Sequence, residues 1–197
     1  MFLLSTTMMY IGNMKETDLV LLIRKKDARA MKTLYGRYIG YLTATCSRYI
    51  VREDDVKDIL QESFIKIFTS LDKFEYRGEG SLKAWMTRIV VNESLKFLKK
   101  SKEVDLIQYT WDLPETEDME EPDINEVPTS VIQEMIQDLP VGYRTVFNLY
   151  VFEQKTHKEI AELLNIREDS SASQLHRAKS ILAKKIKEYT SVKQDCL

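Results

Sequence analysis

Between Glu103 and Asp138 the chain carries twelve acidic residues and neither lysine nor arginine, and Pro114, Pro122 and Pro128 punctuate the same stretch. Apolar residues there follow no helical period. Self-repelling charge without a periodic apolar face describes an extended connector, not a packed element. The 197 residues therefore divide into two lobes, each large enough for a modest core. Residues 1–102 hold 19 basic against 12 acidic side chains, and residues 139–197 hold 10 against 7. The formal net charge of −2 thus conceals lobes of +7 and +3 around a connector of −12. Two basic lobes form a polyanion-binding pattern that the net charge hides.

Glycine (6) and proline (4) are scarce, and no stretch alternates apolar and polar residues with period two, so the fold class is all-α. The expected organisation is a first helical domain over 14–100, a connector over 101–130, a second helical domain over 131–189 and a tail over 190–197. Residues 1–13 are expected to be disordered or a mis-assigned start, since Met8, Met9 and Met14 follow Met1 closely. The opening "MFLLSTTMMYIG" has no basic flank or small-residue cleavage site, which argues against a signal peptide. No apolar run approaches the roughly 20 residues that span a bilayer. Cys46 and Cys196 are too few for a disulfide framework or a zinc site, so a reducing cytoplasm is expected, with no metal and no cofactor.

In "DDVKDILQESFIKIFTSLDKF", Val56, Leu60, Phe64, Ile67, Phe68 and Leu71 recur at three- and four-residue steps, one apolar face of a long helix. Asp55, Asp58, Gln61 and Glu62 lie on the opposite side. The Asp54, Asp55, Asp58 and Glu62 cluster admits a hydrolytic metal site, but no histidine precedes His157, and a solvated or partner-facing surface is the better reading. Upstream, Met31, Leu34, Tyr38, Tyr41 and Leu42 form another apolar stripe. Downstream, Gly78 and Gly80 break the chain and Ser81 can cap the helix that follows. Leu82, Trp85, Met86, Ile89, Leu95 and Leu98 form its expected buried side. Arg88, Asn92, Lys96 and Lys99/Lys100 step along another side, with Tyr76 and Arg77 in the loop before them. Cations for phosphates, an amide for a base edge and aromatic rings for stacking make a single-strand surface; the bland alternative is a solvated basic helix.

The second lobe breaks at Leu139-Pro140, then continues through Val146, Leu149, Tyr150 and Val151. In "HKEIAELLNIREDSSASQLHRAK", Ile160, Ala161, Leu163 and Leu164 are expected to face inward. Asn165 stands at the turn, where asparagine tolerates the left-handed conformation. Asp169 or Ser170 can cap the next helix, whose apolar side runs Leu175, Ala178, Leu182, Ile186. Ser171, Ser173, Gln174, His176, Arg177 and Lys179 then supply a polar surface toward its N-terminal end, the part a helix-turn-helix sets in the major groove. The alternative is a plain helical hairpin.

Taken in order, "DDVKDILQESFIKIF", "YRGEGSLKAWMTRIVVNESLKFLKK" and "LPVGYRTVFNLYVFEQKTHKEIAELLNI" with "SQLHRAK" resemble bacterial RNA polymerase sigma factors of the sigma-70 family, in the extracytoplasmic-function (ECF) group. The resemblance runs from about Met14 to Tyr189. It implies that the first domain is similar to region 2 and the second to region 4. Asp55, Asp58, Gln61 and Glu62 would then dock on the β′ clamp helices of the polymerase core. Tyr76, Arg77, Ser81, Lys83, Trp85, Arg88, Asn92, Lys96 and Lys99 would melt the minus-ten element and hold a flipped base. Region 4 would read the minus-thirty-five element and touch the β flap. Two positions depart from the usual pattern: Ala172 where a lysine often starts the recognition helix, and Asn165 where the turn often has glycine. The connector would thread the polymerase interior. Regulation would come from outside, for example from a membrane-anchored or soluble anti-sigma factor. The alternative function is a stand-alone helix-turn-helix regulator with a helical sensing or dimerisation domain.

Overall fold

The computed structural model describes residues 14–101, 124 and 127–194. The expected start over 1–13, nearly all of the acidic connector and the last three residues lie outside them. Among the described residues the regular elements are helical: α1 (Glu16–Arg24), α2 (Ala28–Ser47), α3 (Glu53–Ser70), a 3-10 turn (Leu71–Lys73), α4 (Ser81–Lys100), α5 (Thr129–Gln137), α6 (Val141–Val151), α7 (His157–Leu164) and α8 (Glu168–Gln194). Contacts divide them into two compact units. One takes the described residues to Ser47 with Arg52–Leu95, and the other takes Arg48–Val51 with those from Lys96 onward.

In the first unit α1, α2 and α3 pack through Leu19, Val20 and Ile23, then Leu34, Tyr38 and Leu42, then Val56, Leu60, Phe64 and Ile67. Asp27 caps α2 by accepting the Ala30 N–H at 2.9 Å. Glu53, Asp54 and Asp55 occupy the first turn of α3, where the helix dipole favours negative charge. Three expected core positions differ. Met31 and Phe68 are only half-buried and Tyr41 is exposed, with the Lys83 ammonium 3.8 Å above its ring. Tyr38 is closed over, and its hydroxyl donates to Glu16 at 2.7 Å. Burial, then the carboxylate, pushes the Tyr38 phenol up to about 12. Arg24 reaches from the end of α1 to the carbonyls of Leu71 and Phe74, which pins the chain as it leaves α3.

The second unit closes its core around Met135, Ile136, Leu139, Tyr143, Ala178, Leu182 and Ile186. Val127 is already buried there and α5 begins at Thr129, so packing starts before the expected boundary at Val131. At the other end α8 runs on to Gln194, past the expected limit at Tyr189. The break at Leu139-Pro140 leaves carbonyls without helical partners. Buried Arg144 meets them, donating to Gln137 O at 2.7 Å and Leu139 O at 3.1 Å.

The α6–α7 connection ends in a capping box. Thr156 Oγ1 accepts the Glu159 N–H at 3.2 Å, and the Glu159 carboxylate accepts the Thr156 N–H at 2.9 Å. Lys155 adds a donor to the same carboxylate at 2.8 Å. The Lys155 ammonium and then the Thr156 N–H hold the Glu159 carboxyl down to about 2. Asn165 ends α7 in the left-handed conformation at φ 56°, as its place at the turn predicts.

Replacing Thr156 by alanine removes the cap and is expected to cost about 1 kcal/mol of helix stability. Hydrogen exchange of the α7 amides in the intact chain reads it; unchanged protection would refute the cap's role. Because the folded carboxyl is depressed, the Glu159 contribution is complete above its unfolded value of about 4.3 and lost as pH falls through about 2. Glu159→Gln should abolish that part of the acid dependence, measured as the difference between wild-type and variant unfolding midpoints from pH 5 to 2.

Candidate nucleic-acid interface

Helix α4 takes its rotation from Leu82, Met86, Val90, Leu95 and Leu98, all buried. That rotation leaves Lys83, Arg88, Asn92, Lys96, Lys99 and Lys100 exposed along the other side. The helix starts where the preceding loop needs glycine: Gly78 lies at φ 116° and Gly80 at φ 82°, both in territory that other residues rarely adopt. Ser81 is the first helical residue, not the cap that the sequence suggests. Its hydroxyl accepts the Arg77 N–H at 3.2 Å and donates to Gly78 O at 2.6 Å. The side chain therefore closes the loop on itself and sets Arg77 beside the start of α4.

Trp85 and Ile89 are expected in the core, yet both are half-buried. Trp85 packs on Phe74, ring centroids 5.1 Å apart, and is left at the edge of the apolar stripe. A cleft of ≈ 510 Å³ opens beside it, lined by Lys73, Phe74, Arg77, Ser81, Trp85 and Arg88 among others. Aromatic wall and guanidinium rim suit a base face and a phosphate respectively. Tyr76 is exposed in the same loop. Of the nine residues expected to act in melting, Arg77, Ser81, Trp85 and Arg88 line this cleft. Lys83 lies over Tyr41, while Asn92, Lys96 and Lys99 continue along the helix.

On α3 the residues Asp58, Gln61 and Glu62 form one exposed row, with Ile65 exposed in continuation of it. Asp55 stands apart: it is half-covered and paired with Arg52 at 3.6 Å. Asp54, the further member of the acidic cluster, pairs with Lys57 at 3.4 Å. Ile65 was not foreseen. Its spacing from Gln61 was the available signal, but isoleucine in an apolar-rich helix reads as core.

In the second unit two expectations are corrected. Ser171 has 0% exposure and Gln174 6%, so neither points outward. The helix begins at Glu168, ahead of the expected Asp169 or Ser170 cap, and Ser170 is itself buried. Ser171 is turned inward against α7, where its hydroxyl lies 3.0 Å from His157 Nδ1. His157 in turn stacks on Tyr150 at 4.9 Å. Arg177 is half-buried and donates to the Tyr143 hydroxyl at 3.3 Å. The outward row is Asp169, Ala172, Ser173, His176 and Lys179. The phase was available: Ser171 and Gln174 stand four residues before Leu175 and Ala178, and so on the same buried face. On α7, Ile160 and Leu164 are buried, while Ala161 and Leu163 are only half-covered.

Residues 34–104 match Sigma-70 region 2 and residues 130–182 match Sigma-70 region 4. The ECF RNA polymerase sigma-E factor of Salmonella typhimurium (strain LT2) is 30% identical over 183 residues, covering 86% of this chain and 94% of that protein. The protein of the same description from Haemophilus influenzae is 28% identical, covering 83% and 91%. Among solved structures, the sigma factor RpoE of Bartonella quintana, determined with the anti-sigma factor NepR, aligns at 18% identity over 78% of this chain and 94% of that one, with a TM-score of 0.46. Matches to both regions do not favour the alternative of a stand-alone regulator. This chain belongs to the sigma-70 family of RNA polymerase sigma factors, in its ECF group.

Proposed function

We propose that this sigma factor opens promoters with the exposed side of α4 and its flanking cleft, and selects them upstream with the outward row of α8. It is not an enzyme; the polymerase core supplies the chemistry, and the cytoplasm is its place of action. The observation that carries the reading is the exposed row of Lys83, Arg88 and Asn92 on α4, with Arg88 at its middle lining the cleft beside Phe74 and Trp85. Unstacking a base costs a few kcal/mol, which an apolar pocket with phosphate contacts at its rim can offset. Arg88 and Arg77 neutralise backbone charge, Asn92 offers both a donor and an acceptor to a base edge, and Trp85 takes the face of an extruded base. The domains doing this are residues 14–100 and 131–189, with the packing of Val127 extending the second toward the connector.

Core polymerase meets the row Asp58, Gln61 and Glu62 on α3, with Ile65 as an apolar contact amid the charges; clamp helices of the β′ subunit are the proposed partner. On α8, Ser173 and His176 face the major groove and Lys179 a phosphate, whereas Ser171 and Gln174 support the helix from within. Tyr150 and His157 carry the start of α7 toward the backbone of the same duplex, as a first helix does in such motifs. The β flap and an anti-sigma factor remain further proposed partners of the second unit and of the whole chain.

Run-off transcription with purified core polymerase and a responsive promoter tests the whole reading; failure to bind core or to initiate would overturn it. Arg88→Ala and Asn92→Ala should each lower open-complex formation by about 5- to 150-fold, equivalent to roughly 1–3 kcal/mol, with core affinity kept. Permanganate footprinting beside a core-binding titration separates the two, and equal loss in both assays would refute the assignment. Lys179→Ala should weaken upstream-duplex binding evenly across sequences and reduce the salt slope by about 1. Changes at Ser173 or His176 should shift base preference by about 1–3 kcal/mol. Gln174→Ala is expected to lower thermal stability without changing that preference; competition binding with mutated upstream elements decides between these outcomes.

A further inference from the structure

Lys73 lines the cleft beside Trp85, yet promoter opening as proposed gives it no task. The cleft lies between two walls. One is the chain leaving the 3-10 turn, with Lys73, Phe74, Glu75 and Arg77; the other is the start of α4, with Ser81, Ala84, Trp85 and Arg88. Each wall therefore brings one aromatic ring and at least one cation. Phe74 is buried and backs Trp85, so the half-buried indole is the ring that a ligand can reach.

Charge distinguishes this cleft from a seat for a base alone. Three cations line it against one carboxylate, Glu75, and the Glu75–Arg77 pair at 3.2 Å is exposed at both ends. Surface pairs of this kind hold weakly and exchange for another anion. Lys73 and Arg88 take part in no ion pair among the described residues. Guanidinium groups grip phosphate through paired N–H donors, and an ammonium adds a point charge. Successive phosphates of a DNA strand are kept apart by sugars, whereas those of a nucleotide tail share bridging oxygens and concentrate their charge. Cations on both walls match the second pattern. The volume of ≈ 510 Å³ also lies within the roughly 300–1,000 Å³ of small-molecule sites.

We propose that this cleft is also a site for a free nucleoside polyphosphate, which excludes the opened DNA strand from it. Trp85 stacks on the base, while Arg77, Arg88 and Lys73 neutralise the phosphate tail from both walls. Arg77 exchanges Glu75 for phosphate as it does so. The exclusion of the strand rests on the promoter-opening reading of α4; the binding of the nucleotide does not. One stacked ring and exposed cations give a Kd of about 0.1–1 mM, so occupancy follows the free nucleotide concentration.

Equilibrium dialysis of the full-length chain, at fixed ionic strength and without divalent cations, tests the site with AMP, ADP, ATP and tripolyphosphate. Affinity should rise about threefold with each added phosphate, and tripolyphosphate should bind about tenfold more weakly than ATP. Lys73→Gln should lower ATP affinity about tenfold and AMP affinity less than about threefold. Trp85→Leu should bring ATP to the level of tripolyphosphate, and Trp85→Phe should restore most of the difference. Thermal melting accompanies each variant, and exposed Lys73 keeps the test decisive should Trp85→Leu unfold. Holoenzyme is then bound to forked promoter DNA with ATP at about four times its Kd. Fork affinity should fall about fivefold with the wild-type chain and less than about 1.5-fold with Lys73→Gln, which separates this site from nucleotide bound to core. No saturable ATP binding, tripolyphosphate binding as tightly as ATP, or unchanged ATP affinity in Lys73→Gln overturns the site. Fork affinity that ATP leaves unchanged, or lowers equally in both holoenzymes, overturns the exclusion. Wild-type holoenzyme that does not bind the fork even without ATP overturns the promoter-opening reading instead, and the dialysis still decides the site.

Discussion

The burial of Leu82, Met86 and Val90 sets the rotation of α4, and every proposed nucleic-acid contact in the first unit depends on that rotation. Helical residues three or four apart share a face, so holding these three inward leaves Arg88 and Asn92 with no option but solvent. Truncating one of them would cost about 2–5 kcal/mol and loosen the stripe as well as the core. The same rotation stops short of covering Trp85 and Ile89. Rather than sealing its apolar stripe, α4 leaves the stripe's edge open as the wall of a cleft. Arg24 completes the arrangement from a distance. By holding the carbonyls of Leu71 and Phe74 it fixes where Phe74 stands, and Phe74 is the ring against which Trp85 rests.

Helix α8 works under the opposite condition. Its N-terminal turns, from Ser170 to Gln174, hold no large apolar residue, so hydrophobic burial alone does not orient them. The orientation comes from the longer helix behind, through Leu175, Ala178 and Leu182, and from polar contacts: His157 to Ser171 and Arg177 to Tyr143. Small polar residues at that end allow close approach on both sides. Ser171 packs inward on α7, while Ala172 and Ser173 leave little bulk between the backbone and a groove. The turn before it is made rigid by the left-handed Asn165 and the capping box at Thr156 and Glu159, which together hold α7 at both ends.

Charge separation gives these two surfaces their chemical sense. A lobe of +7 and a lobe of +3 can each meet phosphate while the chain as a whole stays mildly acidic. Exposed lysines on such surfaces contribute affinity that falls steeply with salt, so base selection must come from the few non-cationic groups among them. On the proposed reading these are Asn92 and Trp85 in the first unit and Ser173 and His176 in the second. The same proposal assigns the exposed carboxylate row on α3 to core polymerase, with exposed Ile65 as the apolar contact beside it.

Helices and their exposed basic stripe were legible in the residues because period and composition act locally. Apolar steps of three and four, glycines at the loop, an acidic connector and a threonine three residues before a glutamate each determine their own neighbourhood. The sequence by itself thus determined two helical lobes, the helix-turn-helix with its left-handed asparagine, and Arg88, Asn92, Lys96 and Lys99 on one side of a helix. Tertiary structure decided what depends on distant partners: Ser171 and Gln174 turned inward, Trp85 and Ile89 left half-covered, Arg144 buried beneath a helix break, and Lys66 joined to Glu93. The physical reason is that a helix's period specifies which residues share a face, whereas only the neighbours packed against it decide which face is covered and how completely.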